Sequence, residues 1–594
     1  MGLPWKSISV TSLACAYLVT SLSPDRSISR LTAVFSTAWA LQFLGWAIWS
    51  VFLWPKLFSP LRGLPEPSNN SLFMGQGPRI FAEHTGDPML DWINAIPNNG
   101  LIRYLGLFNQ ERLLLTSPKA LAEVLTTKNY DFHKPSQLRD TLGRILGNGI
   151  LFAEDDEHKF QRKNLTPAFA FRHIKDLYPV FWSKSRESAL AMTEKVLEDS
   201  TKEGKGDGPA AEGEAPKNTA VMEVANWASR ATLDIIGVAG LGQDFGAIND
   251  PSNPINQTYT WLFQSSRQRR LLNLLGLFVP DAIVRRLPFK ANKQVAEASQ
   301  FLRDTCRDLV RQKRQAKLDS KGGPTDVDII SVAIESGGFT DENLVDQMMT
   351  FLAAGHETTA TSLTWAIYML CLHPEVQTRL REEVRANLPP LSGGSDDEGS
   401  DSSTVTSLDI DRIPYLTAVC NEVLRYYSPV PLTMRIAVRD TTILDQKVPQ
   451  GTRVVLCPWA VNKSIELWGD DARRFDPERW LRPANRRQEK DLSSRGGGEK
   501  VDAAGGHSSS SSIGSGGATS NYAFMTFLHG PRSCIGAGFA RAEFACLLAA
   551  WVGRFEFTLK NQEEMDEKNM KIKGLVTSRP ADGLYVRAKI VEGW

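Results

Sequence analysis

The sequence predicts a mainly α-helical fold with small β-sheets, of the α+β class, behind an N-terminal transmembrane helix. Three observations lead to this prediction: an uncharged apolar run close to the N-terminus, apolar residues at helical spacing over most of the remaining chain, and short strand-like runs between the helices. The chain has 594 residues, which are enough for a large buried core. We expect a membrane anchor over residues 1–60 and one folded domain over residues 61–594.

The composition is that of an ordinary globular protein. Hydrophobic residues make up 42% of the chain and charged residues 23%, and the formal net charge is +1. A charge so close to zero gives no general attraction to nucleic acid, so no nucleic-acid partner is expected. The seven cysteines are unevenly spaced in a long chain, which argues against a disulfide framework and for a reducing compartment.

The anchor is predicted from residues 31–54, a run without a charged side chain. As a helix this run would rise about 36 Å, enough to cross the ~30 Å hydrocarbon core of a bilayer with some tilt. Trp46, Trp49 and Trp54 lie toward one end, where an interfacial aromatic belt is expected. A buried core helix is the alternative, but the run is long for one, and Pro55 and Lys56 then stop the uncharged run.

The orientation of the anchor follows from its flanking charges. Lys56 and Arg62 come soon after the run, so the positive-inside rule places the rest of the chain in the cytoplasm. Arg26 and Arg30 on the other side reduce this bias. An earlier segment, residues 7–22, is shorter and richer in serine and threonine. It is a candidate for a second span, a re-entrant segment or a signal-like segment, and a second span is slightly favoured.

Three polar segments interrupt the remaining chain, at residues 201–218, 389–407 and 485–520. They are rich in glycine, serine or acidic residues and contain few apolar side chains. Such segments bury too little apolar surface to offset the entropy lost on ordering. We predict disordered surface insertions in one domain, because motifs that carry chemistry lie on both sides of each.

The strongest signal for chemistry is the segment Phe527–Gly536, which reads FLHGPRSCIG. Glycines on both sides of Cys534 permit a tight turn and a close approach of backbone N–H groups to the sulfur. An apolar helix is expected to follow, and its N-terminal dipole would favour an anionic thiolate. Two plainer interpretations are a buried structural cysteine and a zinc site that includes His529. The zinc site lacks a nearby cysteine or histidine pair to complete it.

This segment resembles the ligand loop of the cytochrome P450 family, whose pattern is F-x-x-G-x-R-x-C-x-G. Its fixed positions are filled by Phe527, Gly530, Arg532, Cys534 and Gly536. The resemblance implies the cytochrome P450 fold from about residue 60 onward, so that residues 61–594 form a haem-thiolate catalytic domain. It also implies that Cys534 is the axial ligand of the haem iron, that Arg532 pairs with a haem propionate, and that Phe527 packs beneath the ring.

A second motif lies in a long apolar helix predicted over about residues 344–372. Residues 354–359 read AGHETT, similar to the family pattern A-G-x-[DE]-T-[TS] in the helix that crosses over the haem. The Thr358 hydroxyl can bond back to the carbonyl four residues earlier and loosen the helix, and Gly355 leaves room for oxygen. We expect Glu357 and Thr358 to relay protons to oxygen in this groove. The plainer interpretation is an ordinary helix with a surface glutamate and a threonine bonded to its own backbone.

Glu422 and Arg425 are expected on one face of a helix that begins near Pro414, because side chains three residues apart are neighbours. In the family, an E-x-x-R helix pairs with the arginine of a later P-E-R segment, which is Arg479 here. The resemblance implies a buried ion triad with a structural role. Taken alone, such a pair is usually a solvated surface pair.

Three further residues are implied as contacts of the haem propionates. His158 and Arg162 match the family's helix that crosses one propionate edge. His158 stands where tryptophan is more usual, and it still offers an N–H donor. Arg435 lies where the family has another propionate arginine. Each of these residues could instead be a plain surface charge.

The resemblance implies a haem-dependent monooxygenase that inserts one oxygen atom from O2 into a lipophilic small molecule, in specialised-metabolite or lipid metabolism. Its cofactor would be haem b with a cysteine thiolate ligand. Electrons would come from NADPH through a diflavin reductase, with cytochrome b5 as a further candidate donor. The chain looks similar to microsomal enzymes of filamentous fungi, which implies the endoplasmic reticulum membrane and a cytoplasmic catalytic domain.

Two other functions stay open on the sequence alone. A haem-thiolate isomerase or dehydratase needs no reductase, but such enzymes usually lack the helix with Gly355, Glu357 and Thr358. A non-enzymatic haem protein, such as a sensor or a scaffold, would not require the acid and the threonine. The identity of the substrate is expected to depend on residues near 130–150, 255–285, 350–355 and 429–435.

Overall fold

The structure is a computed structural model of the chain. It describes residues 4–24, 27–203, 218–263, 268, 272, 281–284, 286–319, 328–391, 405–482, 515–574 and 576–594. The disordered insertions predicted near 201–218, 389–407 and 485–520 lie mainly outside the described residues, so they stay predictions.

Helices make up most of the described chain. In chain order they are α1 (Trp5–Ser21), α2 (Ile28–Ile48), α3 (Gly77–Ala82), α4 (Asp87–Ala95), α5 (Pro118–Ala122), α6 (Ser136–Leu146), α7 (Asp155–Leu165), α8 (Phe171–Asp176), α9 (Tyr178–Glu203), α10 (Val224–Ile235), α11 (Pro254–Phe263), α12 (Asp281–Val284), α13 (Lys290–Asp319), α14 (Ile329–Glu335), α15 (Asp341–Leu372), α16 (Pro374–Asn387), α17 (Ser407–Asp411), α18 (Pro414–Tyr426), α19 (Pro458–Val461), α20 (Ile465–Trp468) and α21 (Ala537–Arg554).

The strands are short. They are β1 (Leu101–Leu105), β2 (Glu111–Leu115), β3 (Phe132–His133), β4 (Thr219–Glu223), β5 (Thr433–Ala437), β6 (Thr441–Ile443), β7 (Gln446–Val448), β8 (Arg453–Leu456), β9 (Phe555–Leu559), β10 (Ile572–Lys573), β11 (Arg579–Pro580) and β12 (Tyr585–Ile590).

Contacts divide the chain into two units, Met1–His133 with Thr433–Leu456 and Lys134–Leu432 with Cys457–Trp594. The first unit holds the sheet β1-β2-β8-β5-β3 and the hairpin β6-β7, and the second unit holds the sheet β4-β12-β9 and the pair β10-β11. In the first sheet, β2 and β8 are parallel and the other neighbours are antiparallel. The predicted mainly helical fold with small sheets is therefore confirmed, and the anchor boundary near residue 60 stays a prediction.

The long helix α15 lies at the centre of the second unit, where it packs against α10, α13, α18 and α21. It begins where the Thr340 side chain accepts a hydrogen bond from the Asn343 N–H at 3.2 Å. Most of its side chains are buried, because the helix is apolar on nearly every face. The helix predicted over about residues 344–372 is confirmed, and it begins one turn earlier than expected.

Helix α2 ends at Ile48, and the helical backbone continues directly as wider π-helical turns over Trp49–Phe58. The helical backbone therefore continues past Pro55, beyond the predicted span 31–54. In turns of this width an N–H bonds to the carbonyl five residues back, so Pro55 leaves out the bond to the Ser50 carbonyl. The Val51 carbonyl accepts from the Asn109 side chain at 3.0 Å. The Pro55 carbonyl in turn accepts from the buried Arg103 guanidinium at 2.6 Å. Side chains of the neighbouring turn and strand therefore bind the carbonyls of Val51 and Pro55.

Candidate functional site

The segment around Cys534 forms a closed turn. The Cys534 N–H donates to the Phe527 carbonyl at 2.9 Å, and the Ser533 N–H donates to the Gly530 carbonyl at 3.0 Å. Gly530 has a φ of 76°, a left-handed conformation that glycine adopts without steric cost. Gly536 is the N-cap of α21, so the sulfur-bearing residue lies just before the positive end of this helix.

The Cys534 side chain is accessible, whereas the cysteines inside the helices of the second unit are buried. Protein surrounds the thiol on its other sides, and this loss of solvation raises its pKa. The Gly536 N–H and the Arg162 charge lower the pKa, but by less than burial raises it. Burial therefore disfavours a free thiolate here, and a metal cation bound to the sulfur would favour the deprotonated form.

Phe527, predicted to lie beneath a ring, packs on the side of the turn that faces α21. The Arg541 guanidinium of this helix lies 4.9 Å from the centre of the Phe527 ring. It also donates to the Asn421 side chain. Arg541 does not follow from the sequence, because a single arginine in an apolar helix gives no local signal of the aromatic ring that it contacts.

Several positive charges surround the same turn. Arg162 of α7 donates to the Ser533 carbonyl at 2.7 Å, and the buried Arg532 pairs with Glu154. His158 is buried one turn before Arg162, and this burial, together with Arg532, Lys134 and Arg162, lowers its pKa to about 4. His158 is therefore neutral at physiological pH, and its surroundings favour a negatively charged ligand.

Arg435 belongs to the other unit, where it lies on β5. Its guanidinium is buried and donates to the Met434 carbonyl at 2.9 Å and to the Thr433 hydroxyl at 3.2 Å. It is therefore not a plain surface charge. Its predicted contact with a haem propionate stays a prediction.

The motif at residues 354–359 interrupts the otherwise buried surface of α15. Ala354 is exposed, and Gly355 and Thr358 are half-buried, so an accessible strip runs along one side of the helix. Thr358 donates to the Ala354 carbonyl at 2.8 Å, as its position in the motif predicted. A methyl group on Gly355 would lie 3.0 Å from Ile236, so a larger residue would crowd α15 against its neighbour.

Glu357 faces away from solvent and is held by two partners. The Thr577 hydroxyl donates to its Oε1 atom at 2.9 Å, and the Arg579 guanidinium lies 3.3 Å from the same oxygen. The segment that carries both partners is fixed to α15, because the Trp365 indole donates to the Ser578 carbonyl at 2.7 Å. The plainer interpretation of Glu357 as a surface glutamate is therefore wrong. Thr577 and Arg579 do not follow from the sequence, because they lie 220 and 222 residues from Glu357 along the chain.

The structure brings Glu422, Arg425 and Arg479 together in the interior of the second unit. Glu422 lies 2.7 Å from Arg425 and 3.1 Å from Arg479, and the three side chains are almost fully inaccessible. The Trp480 indole and the Asp476 N–H also donate to the Glu422 carboxylate, at 3.0 and 2.8 Å. The Glu422 carboxylate thus holds the end of α18 and the segment around residue 479 together.

His529, the partner considered for a zinc site, has a different role. Its Nε2 atom lies 3.1 Å from the Phe524 carbonyl, and its ring packs on Tyr522. Across the part of the chain that the structure describes, no group of three or more histidine, cysteine, aspartate or glutamate side chains is arranged to hold a metal ion.

Comparison with known sequences identifies the family. Residues 100–584 match the family model for cytochrome P450. The chain belongs to the cytochrome P450 family. It is 45% identical over 572 residues to the cytochrome P450 monooxygenase FUM15 of Gibberella moniliformis, with 94% of each chain covered. It is 43% identical to the cytochrome P450 monooxygenase sphH of Aspergillus fumigatus, with 95% and 94% covered, and 42% identical to ALT8 of Alternaria alternata, with 99% of each covered.

As a cytochrome P450 monooxygenase, the protein uses a haem-thiolate iron, O2 and electrons from a redox partner, and it acts on a lipophilic substrate. The described residues of this cytochrome P450 fit such a cofactor. Cys534 offers an accessible sulfur at the start of a helix, the cations beside it suit the acidic propionates, and the strip on α15 is open. Nothing in the comparisons favours the isomerase, dehydratase or non-enzymatic alternatives.

Proposed function

We propose that Cys534 is the axial ligand of the haem iron in this monooxygenase. The observation that carries the proposal is the accessible thiol in the closed turn Phe527–Gly536, with Arg162 and the start of α21 beside it. Gly530 and Gly536 allow this turn to form, and Phe527 packs within it. Bound there, haem supplies the activation of O2 that transfers one oxygen atom to the substrate.

The propionates of the haem would be held by the basic residues around the turn. Arg532 and Arg162 carry the charge, and the neutral imidazole of His158 offers an N–H donor. Arg435, buried on β5, is proposed as a fourth contact. Two carboxylates would find charge-assisted hydrogen bonds at these guanidinium groups.

On the other face of the haem, α15 would supply protons. The Thr358 hydroxyl borders the accessible strip and can rotate from the Ala354 carbonyl toward it. Glu357 would pass protons inward from the solvent beside Arg579, because the Arg579 side chain is partly exposed. The guanidinium itself keeps its protons and would only orient the acid. Gly355 would leave the strip open for O2. The buried Glu422–Arg425–Arg479 triad would hold the framework beneath and takes no part in the chemistry.

The helix Ile28–Phe58 is long and apolar enough to cross a membrane. We propose that it anchors the enzyme in the endoplasmic reticulum membrane with the catalytic residues in the cytoplasm, as Lys56 after the apolar run supports. An NADPH-dependent diflavin reductase would donate electrons there, with cytochrome b5 as a second donor. The substrate would be a hydrophobic compound of specialised-metabolite or lipid metabolism.

The ligand assignment is tested by the spectrum of the reduced protein with carbon monoxide. The wild-type enzyme should show the red-shifted Soret band of thiolate-ligated haem, and Cys534→Ala should lose it. Cys371→Ala removes a buried thiol at the end of α15 and should keep the band. A thiolate spectrum that persists in Cys534→Ala would overturn the assignment.

A further inference from the structure

The first two helices pack against each other through small and polar side chains. Helix α1 buries Ile8, Ser12, Ala16 and Thr20, which recur every four residues along one face. This spacing lets the backbones of α1 and α2 approach closely, as small residues do between helices in membranes.

Hydrogen bonds join the two helices at the same face. The Gln42 amide of α2 donates to the Ser12 hydroxyl at 2.9 Å and accepts from the Thr11 hydroxyl at 2.6 Å. The Trp39 indole donates to the Ser9 hydroxyl at 3.4 Å. Gln42 lies near the middle of the long apolar helix Ile28–Phe58. In the hydrocarbon core of a bilayer its amide would have no hydrogen-bond partner, and the hydroxyl groups of α1 supply both a donor and an acceptor for it.

The outward faces of the same two helices are apolar. On α1, Val10, Leu13 and Tyr17 are 67%, 55% and 68% exposed, and on α2, Leu41 and Leu44 are 64% and 56% exposed. A helix pair in water shows the opposite arrangement, with apolar side chains between the helices and polar ones outside. This inside-out arrangement fits a surface that is covered by lipid.

We propose that α1 and α2 form a hairpin that crosses the bilayer twice, so that the N-terminus lies on the same side as the catalytic residues. The proposal rests on the proposed anchoring by α2. Helix α1 has 17 residues and would rise about 25 Å, a small mismatch that a bilayer absorbs by local thinning. Lys6 and Trp5 at its start would lie at the interface, and Lys6 would join Lys56 on the cytoplasmic side.

Glycosylation mapping in a fungal host tests this topology on the full chain. Three variants of the chain each carry an acceptor sequon on a flexible Gly-Ser spacer: one before Met1, one after Trp594, and one between Ser23 and Pro24. The hairpin predicts a glycan only on the third, because only the segment between the helices would face the lumen. A glycan on the N-terminal extension would show a single span and overturn the hairpin.

The remaining outcomes separate the hairpin from the anchoring on which it rests. A glycan on the C-terminal extension, or a protein that partitions entirely into the soluble fraction, would contradict the proposed anchoring itself. A membrane-bound protein without a glycan on any of the three variants would overturn the hairpin alone, because the segment after α1 would then not reach the lumen.

Cross-linking gives a second measurement at the helix contact. In a Cys15→Ala background with a protease site between Ser23 and Pro24, Ser12→Cys with Gln42→Cys should form a disulfide in isolated membranes. The disulfide should keep the N-terminal fragment attached after cleavage. The matched pair Leu13→Cys with Gln42→Cys places one thiol on the outward face and should release the fragment. Equal release from both pairs would contradict the packing of α1 on α2.

Discussion

The Arg579 guanidinium lies 3.3 Å from the Glu357 carboxylate, and the Thr577 hydroxyl donates to the same oxygen at 2.9 Å. This arrangement holds the acid of α15 in one orientation. It also connects the acid with solvent, because the Arg579 side chain is partly exposed while Glu357 is largely buried. Arg579 and Thr577 are therefore positioning residues for the proposed proton donor.

Arg579→Gln should slow product formation roughly tenfold while haem content and substrate binding stay unchanged, because the acid loses its charge partner but not its place on the helix. Arg579→Lys keeps the charge and should recover much of the rate. The measurement is turnover with reductase as a function of pH, compared with haem content. If Arg579→Gln matched the wild type at every pH, the ion pair would have no part in proton delivery.

Thr358→Ala should uncouple NADPH consumption from product formation. Without the hydroxyl at the edge of the accessible strip, proton delivery is misdirected, so product per NADPH should fall roughly tenfold and hydrogen peroxide should rise. Thr358→Ser should largely restore coupling. Thr364→Ala removes a similar hydroxyl on the same helix, which donates to the Ala360 carbonyl at 2.8 Å, and should leave coupling intact. A wild-type product-to-NADPH ratio in Thr358→Ala would exclude the relay role, unless a substrate hydroxyl replaces it.

Local patterns in the sequence predicted the parts of the site that neighbouring residues determine. The helix around Thr358 and its bond to the Ala354 carbonyl follow from spacing within one helix, as does the start of α18 at Pro414. The periodicity of apolar residues shows which face of a helix is buried, but not which distant segment packs on that face. The partners of Glu357 could therefore not be predicted from the sequence. The continuation of helical turns past Pro55 to Phe58 likewise does not follow from the local pattern, since proline usually interrupts a helix.

Glu422→Gln should severely destabilise the second unit. The substitution removes the charge that compensates the buried Arg425 and Arg479, and breaking such a buried pair costs about 3–5 kcal/mol. We expect a low yield of folded protein and a strongly lowered Tm. The control Asp156→Asn breaks an exposed pair with Lys159 at the same spacing of three residues, and it should leave the Tm unchanged. Similar Tm values for both variants would contradict a structural role of the triad.

Glu543 on α21 is fully buried and plays no part in the predicted site. Within the described residues, neither of its carboxyl oxygens has a hydrogen-bond partner. Burial raises the pKa of this carboxyl well above its ordinary value, because the charged form would lose its solvation. Burial therefore favours the protonated form of Glu543 in the folded enzyme.

This raised pKa makes the stability of the enzyme depend on pH. In the unfolded chain Glu543 ionises above about pH 4.5, whereas the folded protein keeps its proton. Raising the pH therefore favours the unfolded state by about 1.4 kcal/mol per pH unit, until the folded pKa is reached. Glu543→Gln is uncharged in both states, so its Tm should fall less than that of the wild type between about pH 6 and pH 8.

The comparison with Glu556→Gln shows whether burial of Glu543 is the cause. Glu556 is partly exposed beside Lys589, so its substitution should leave the pH dependence of the wild type in place. Thermal unfolding of the haem-containing enzyme in detergent, followed by its Soret absorbance, measures all three proteins under the same conditions. Because the amide is close in shape to the protonated acid, Glu543→Gln should match the wild type near pH 5 and exceed its Tm near pH 8. Parallel curves for wild type and Glu543→Gln would mean that Glu543 ionises in the folded enzyme, and that the space between α15 and α21 admits enough water to solvate the charge.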